Sequence, residues 1–392
     1  LRAGGHTAPL ALVEDESVLP YQRPPLSKEY LLPAATTAAP HLRSQQYFAD
    51  HQIDLHTGVT ATSLDRRSRT VRLSDGRELP YDVLVLATGA ANRTLAVPGA
   101  DLAGIHTLRT LADAQILRSA LRHSRDVLIV GAGFVGLEFA AAARSNSLRA
   151  TILETSERPL GRALSAKMAG RVAAAHRKAG TDLRLGEAVA EFIGEGGRVI
   201  GAISSTGERY QADLVLVGVG VAPRVELAIR AGLPVADGIV VDENLRTADD
   251  RIYAVGDCAS HPSVHAGGRM RVESVQNATD QARHVASAIL GCSAAYTELP
   301  WFWSHQGELK LQIAGIRRPD DDIVVIGDPD SDHFSVCCYR QGRLVAVESL
   351  NRPADHVAAR RLLAAGRSPA PEQLADPAFS LKTFAQDTIA VR

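Results

Sequence analysis

Val127-Leu-Ile-Val-Gly131-Ala-Gly133-Phe-Val-Gly136-Leu-Glu138, an alanine-rich run to Ala143, and then Ala150-Thr-Ile-Leu-Glu154 decide the fold. The pattern predicts a strand, a glycine turn, a helix and a second strand. Gly131 serves the tight turn, Gly133 lets backbone approach a pyrophosphate, and Gly136 lets the helix pack close to the strand. The helix N-terminus adds unpaired N–H groups and partial positive charge. Glu154 follows Gly131 by 23 positions. A carboxylate ending the second strand accepts both ribose hydroxyls and repels a 2′-phosphate, so this unit is expected to prefer NAD over NADP. G-x-G-x-x-G alone is a weak signal. Here the strand, the helix and the acid supply its context, against the alternative of a bland glycine turn in an α/β sheet.

With 392 residues, 45% of them hydrophobic, two or three domains with ordinary cores are expected in a soluble globular chain. A formal charge of −1 argues against a nucleic-acid partner, which would need a concentrated basic surface. Cys258, Cys292, Cys337 and Cys338 form no C-x-x-C and no metal-ligand spacing. That pattern fits a reducing cytosol, no structural metal, and no redox-active disulfide. No apolar run approaches the roughly 20 residues that span a bilayer, and the N-terminus has no signal-peptide pattern, so a cytoplasmic protein without a membrane partner is expected.

Leu1-Arg-Ala-Gly-Gly5 reads as a helix end with a glycine cap. Leu10 to Glu14, ending in Glu14-Asp15-Glu16, has the shape of Ala150 to Glu154 and is expected to be the second strand of another dinucleotide unit. At the same spacing its glycine loop would lie before Leu1, so that loop is expected to be missing from this chain. Tyr21-Gln-Arg23-Pro-Pro-Leu-Ser-Lys28 combines two prolines that stiffen the backbone with a serine placed to cap a short helix carrying Lys28. Rigid placement of a cation suits a site; a solvated proline turn is the alternative. A low-complexity loop, Pro33 to Pro40, follows. Alternation from Val59 to Leu73, an Asp75-Gly76 turn, and a buried strand across Tyr81 to Ala90 come next.

Leu108 to Leu121 is helical in period, as are Arg162 to Ala179 and Val275 to Leu290, and strands are expected near Leu183, Val199 and Gln211 to Val217. Ile252 to Val255 delivers Asp257 at a glycine turn, where it can hold a sugar-alcohol hydroxyl or merely cap a helix. Trp301 and Trp303 share one side of an extended segment, with core packing or an interface anchor the alternative for one of the pair. Strands around Ile323 to Ile326, Phe334 to Tyr339 and Leu344 to Val347, then helices, read as a small α+β domain.

Taken together, Arg23-Pro-Pro-Leu-Ser-Lys28, Ala87-Thr-Gly-Ala90, Gly131 to Glu138, Gly256-Asp257-Cys258, Val272-Glu-Ser-Val-Gln-Asn277 and Trp301-Phe-Trp-Ser304 resemble the NADH-dependent ferredoxin reductases that feed bacterial monooxygenases and ring-hydroxylating dioxygenases. The resemblance spans essentially the whole chain. It implies an α/β, glutathione-reductase-like fold with two Rossmann-like dinucleotide-binding domains and a small C-terminal α+β domain. The expected division is an FAD domain at 1–107 and 233–311, an NAD domain at 108–232 and a C-terminal domain at 312–392. By resemblance, Glu14 and Asp15 sit where the family binds the FAD ribose, and Arg23, Ala61, Thr88, Arg93, Arg109, Asp257 and Val275 match further flavin contacts. Lys28 matches the lysine beside the flavin, Glu138 the carboxylate paired with it, and Trp303 the indole packed on flavin and nicotinamide. Gly131, Gly133, Gly136, Glu138, Glu154, Arg162 and Gly220 match the NAD site.

A cation near the flavin favours the anionic reduced ring, and the carboxylate compensates that cation in a partly buried site. The implied cofactors are FAD and NAD, the implied acceptor a 2Fe–2S ferredoxin, and the implied assembly a monomer or weak homodimer. Two positions depart from the family pattern: His305 replaces an acid after Trp-Ser, and Arg224 replaces an asparagine after Pro223. Arg317, Arg318, Arg340, Arg343, Arg360 and Arg361 are candidates for a ferredoxin-docking patch, although composition from Gln312 onward shows no basic excess. Two other readings share the fold: a redox-linked binding protein resembling apoptosis-inducing factor, and a chain without flavin.

Overall fold

The computed structural model describes residues 1–35, 38–292, 294–374, 376 and 378–389. Thr36 and Thr37 of the predicted low-complexity loop lie outside the described residues. The chain divides into two compact units, one of Leu1–Gln22, Ala38–Ala91 and Ala222–Glu298, the other of Arg23–Thr37, Asn92–Val221 and Leu299–Arg392. Among the described residues no helix is long and apolar enough to cross a membrane.

In the first unit the 3₁₀ turn Arg2–Gly4 ends on Gly5 at φ 84°, the expected left-handed glycine cap. The strand Leu10–Glu14 pairs in parallel with Ile53–Thr57, running from Leu10 opposite Ile53 to Glu14 opposite Thr57. The alternation from Val59 to Leu73 is two strands rather than one, Ala61–Asp65 and Thr70–Leu73, antiparallel and joined to Glu78–Pro80. The chain turns because Asp65 Oδ1 accepts from the Arg67 and Ser68 N–H groups, and Arg69 adopts φ 55°. The expected buried strand over Tyr81 to Ala90 shrinks to Leu84–Leu86, parallel to Ile252–Ala254. Leu86 is buried while Val83 and Val85 stay exposed, because this two-stranded sheet packs only one face on the core of Leu73, Ile239, Leu245 and Ile252. The helix Val275–Ile289 forms as expected, with Ser274 Oγ accepting from Asn277 N–H at its start.

The second unit carries a five-stranded parallel sheet in the order Thr181–Leu185, Arg149–Glu154, Asp126–Val130, Leu214–Val217, Ile105–His106. Val127 to Val130 and Leu214 to Val217 are wholly buried, the near-continuous apolar runs that a covered parallel sheet requires. The helix Phe134–Ser145 follows the glycine turn, and Leu111–Leu121 opens on a reciprocal Thr110–Asp113 capping box. The helix expected from Arg162 starts later, at Ala166, because Ser165 accepts from Met168 N–H and sets the cap there. A hairpin between Val189–Glu195 and Arg198–Ser204 turns at Gly196 and Gly197, both with positive φ; its first strand was not predicted.

The C-terminal sheet is antiparallel, in the order Trp301–Gln306, Leu309–Gly315, Arg343–Leu350, Phe334–Arg340, Asp322–Gly327, with the helix Pro353–Ala364 packed on it. Two expected domain boundaries meet these sheets. Ile105–His106, before the boundary at 108, is hydrogen-bonded into the parallel sheet, and the boundary at 311 falls inside Leu309–Gly315. Pairing between segments far apart in sequence sets a sheet's extent, and local composition does not carry it.

Candidate functional site

The glycine turn is built by contact. Gly131 has φ 101°, and a Cβ there would stand 2.6 Å from Gly218 O; one on Gly136 would stand 2.1 Å from Gly131 O. Gly133 differs: it is the N-cap of Phe134–Ser145, makes no side-chain cap, and has nothing within 4 Å of the place a Cβ would fill. Open space beside unpaired helix N–H groups fits a dinucleotide pyrophosphate. Glu154 Oε2 accepts from Ala132 N–H at 2.7 Å and Oε1 from Ser156 N–H at 2.8 Å. Oε1 also accepts from Thr155 Oγ1 at 3.3 Å, so Oε2 is the oxygen that keeps a lone pair for a sugar hydroxyl. Arg162 is exposed just before the Ser165 cap. Gly220, at φ 100°, accepts from Arg93 N–H at 2.9 Å, and Arg93 Nε donates to Val221 O, so a residue matched to flavin lies against one matched to nicotinamide.

Pro24–Ser27 forms a 3₁₀ turn with proline at its start, and Lys28 links it to Glu29–Leu31. Ser27 makes no cap, contrary to expectation. Its hydroxyl donates instead to Glu138 Oε2 at 2.5 Å, because Glu138 projects from the first turns of Phe134–Ser145 toward this segment. Lys28 Nζ reaches the same oxygen at 2.8 Å, with side-chain exposures of 11% for Lys28 and 3% for Glu138, and also donates to Pro24 O. The carboxylate's other oxygen, Oε1, accepts from Ser304 Oγ at 2.6 Å. Arg23 donates to Arg109 O at 2.8 Å, so these two are brought together as well.

The strand Trp301–Gln306 explains this geometry through its two-residue period. Phe302, Ser304 and Gln306 meet the nucleotide-side helices: Phe302 packs on Phe134 at 4.4 Å, Ser304 on Glu138, and Gln306 on His176 at 2.9 Å. On the other side Trp301 and Trp303 lie 5.6 Å apart, and Trp301 is covered by His356 and by Arg360, 3.9 Å above its ring. Trp301 therefore packs, as the alternative for one of the pair held. Gln306 and His176 were not singled out from sequence, Ser27 was expected only as a helix cap, and Ser304 stood only as the end of a quoted motif. Alternation across Trp303 could have flagged Ser304 and Gln306; His176 had no local signal.

In the first unit, Asp15 stands just beyond the strand Leu10–Glu14, and burial raises the Glu14 carboxyl above its usual range. Arg224, the departure from the family pattern, pairs with Asp15 at 2.9 Å, both about 40% exposed. Thr88 Oγ1 donates to Arg224 O, and Arg224 N–H to Gly89 O. Asp257 lies in the 3₁₀ turn Gly256–Cys258, whose Gly256 N–H donates to the buried Gln281. Val275 is the exposed first residue of its helix, and Ala61 opens its strand. An acid ending a parallel strand suits sugar hydroxyls, and a second acid on a glycine turn suits a sugar alcohol, the acceptors a flavin dinucleotide needs.

Three of the candidate docking arginines are committed internally: Arg317 lies 3.7 Å from buried Glu348, Arg340 is held by Asp321 at 2.8 Å, and Arg360 covers Trp301. His305 is half-buried, in register with Lys310. Burial pushes the Cys338 thiol up to about 12 and raises Cys258 as well.

The chain matches the family model for pyridine nucleotide-disulphide oxidoreductases over residues 1–282 and that for the reductase C-terminal domain over 301–385. Rhodocoxin reductase of Rhodococcus erythropolis is 47% identical, across 97% of this chain and 90% of the relative. A crystal structure of a ferredoxin reductase from Rhodopseudomonas palustris is 44% identical with a TM-score of 0.95, covering 98% of this chain and 95% of that one. Putidaredoxin reductase in its covalent complex with putidaredoxin is 36% identical, also at a TM-score of 0.95, covering 100% and 95%. By fold, glycine turn and relatives alike, the chain belongs to the pyridine nucleotide-disulphide oxidoreductase family, among its FAD- and NAD-using ferredoxin reductases.

Proposed function

We propose that this reductase draws electrons from NADH and delivers them singly to a 2Fe–2S ferredoxin serving a monooxygenase or dioxygenase. One observation carries the reading: Glu138, ion-paired to Lys28 at 2.8 Å, stands on the same helix whose N-terminus frames the open glycine turn. A pyrophosphate held at that N-terminus places the rest of its dinucleotide within reach of a compensated cation. Bound flavin supplies the switch between a two-electron hydride and single electrons.

The chain's own residues hold and tune. Gly131, Gly133 and Gly136 cradle the pyrophosphate, Glu154 takes the ribose hydroxyls, Arg162 meets the adenosine side, and Gly220 lines the nicotinamide. In the first unit Asp15 with Glu14 takes the flavin ribose, Asp257 the sugar alcohol, and Ala61, Thr88 and Val275 are the further flavin contacts. Lys28 offers a positive charge to the reduced ring and Glu138 keeps that charge compensated. Trp303 stacks at the ring and excludes water. No general acid or base is required. The FAD region is split by the NAD region, the protein works in the cytoplasm, and it is a monomer or weak homodimer.

The test is spectroscopic and kinetic. The purified protein should show oxidised-flavin bands, bleach with NADH, and recover faster when a 2Fe–2S ferredoxin is present. Rapid bleaching with no ferredoxin-dependent recovery would favour the redox-linked binding protein, and absent bands the chain without flavin.

A further inference from the structure

A buried chain of hydrogen bonds runs away from Glu138, deeper into the same unit. Ser304 Oγ lies 2.6 Å from Glu138 Oε1, Gln306 Nε2 lies 3.1 Å from Ser304 Oγ, and His176 Nε2 lies 2.9 Å from Gln306 Oε1. Glu138, Ser304, Gln306 and His176 are each no more than 4% exposed. None of the last three belongs to the reading of the cofactor sites above.

Donor and acceptor chemistry gives this chain one direction. The amide nitrogen of Gln306 must face Ser304, so its oxygen faces His176. That oxygen can only accept, so His176 must carry its proton on Nε2. Burial holds the imidazole pKa below its usual value, so the ring is neutral and that single proton is committed. Ser304 Oγ, accepting from Gln306, then turns its own proton to Glu138. Three donations point in sequence toward one carboxylate oxygen, and aligned bonds polarise one another. The far oxygen, Oε2, meanwhile receives Ser27 and Lys28.

We infer that His176 and Gln306 are positioning residues for hydride transfer, fixing through Ser304 the orientation of the carboxylate that compensates Lys28. The inference rests on the flavin-site reading of Lys28 and Glu138. His176 sits in the last turn of Ala166–Lys178, a helix also tied to the strand Arg343–Leu350 by Ser165 with Glu348 at 2.6 Å and to the loop before Phe334–Arg340 by Arg171 with Asp332 at 2.7 Å. The Arg171 contact holds the same helix without touching the chain of donors, which makes it a control for simple loosening.

The experiment compares wild type with His176→Leu, His176→Gln, Gln306→Met and Arg171→Ala as flavin-loaded enzymes, reading flavin content, flavin midpoint potential, and kcat and KM for NADH. His176→Leu and Gln306→Met should lower kcat by about tenfold with KM within about twofold, and move the midpoint potential. His176→Gln, whose amide nitrogen can donate from nearly the same place, should recover most of the loss. Arg171→Ala should leave the potential unchanged. Wild-type potential and kcat in whichever of His176→Leu and Gln306→Met folds would overturn the inference, as would equal changes in Arg171→Ala; the flavin reading would survive either. Wild type without flavin would sink that reading and this inference together.

Discussion

Glu154 Oε2 lies 2.7 Å from the Ala132 amide nitrogen, so the acid that ends the second nucleotide strand is tied to the turn that begins the first helix. Strand end and glycine turn are joined through that carboxylate, with Ser156 N–H bracing its other oxygen. Replacing Glu154 with arginine removes the acceptor for ribose hydroxyls and adds a partner for a 2′-phosphate. The NADH over NADPH ratio of kcat/KM is expected to fall by about tenfold or more, and an unchanged ratio would take Glu154 out of the ribose site.

Gly133 and Gly136 separate binding from folding. A methyl on Gly136 meets Gly131 O at 2.1 Å, backbone against backbone, and Gly136→Ala should cost about 1–3 kcal/mol in urea unfolding. A methyl on Gly133 meets nothing within 4 Å, and its backbone at φ −77° suits any residue. Gly133→Ala should therefore keep stability within about 0.5 kcal/mol while weakening NADH binding measured by titration. Unchanged affinity would mean the pyrophosphate does not lie there.

Lys28 and Glu138 test as a pair. Glu138→Ala leaves an ammonium with 11% exposure facing a cavity, and a loss of about 3 kcal/mol is expected. Lys28→Met combined with Glu138→Leu removes both charges and should be less destabilised than the sum of the single changes. Additive losses in denaturation would show the two side chains are not coupled.

Acid should destabilise the fold through buried histidines. Burial holds His261 and His356 at about 4, and both ring nitrogens of His356 lack hydrogen-bond partners. The folded values lie below the unfolded one near 6.5, so the unfolded chain binds more protons between them. Stability is then complete above about pH 6.5 and drains away as pH falls toward 4, at most about 2 kcal/mol per histidine between pH 7 and 5. His356→Phe preserves the packing on Trp301 and should flatten that decline in urea midpoints. An unaltered slope would assign the acid sensitivity elsewhere.

The glycine turn, the acid at Glu154 and the helices Leu111–Leu121 and Val275–Ile289 were legible because each is written in neighbouring residues: spacing, caps and apolar period. The strands Val189–Glu195 and Leu309–Gly315 were not, nor was the break between Ala61–Asp65 and Thr70–Leu73, because pairing and turn geometry depend on partners outside any short window. The same division runs through the site. Lys28 and Glu138 stood out by their motifs, whereas the hydrogen-bonded chain that joins Ser304, Gln306 and His176 to Glu138 became visible only once Trp301–Gln306 was laid beside two helices. Arg224 likewise was a departure in sequence and a partner for Asp15 in space. Sequence by itself determined the nucleotide turn, because backbone sterics and strand-to-helix spacing are local. Tertiary structure alone decided which side chains complete the carboxylate's shell, because hydrogen bonds between residues more than a hundred positions apart obey distance in space and leave no period along the chain.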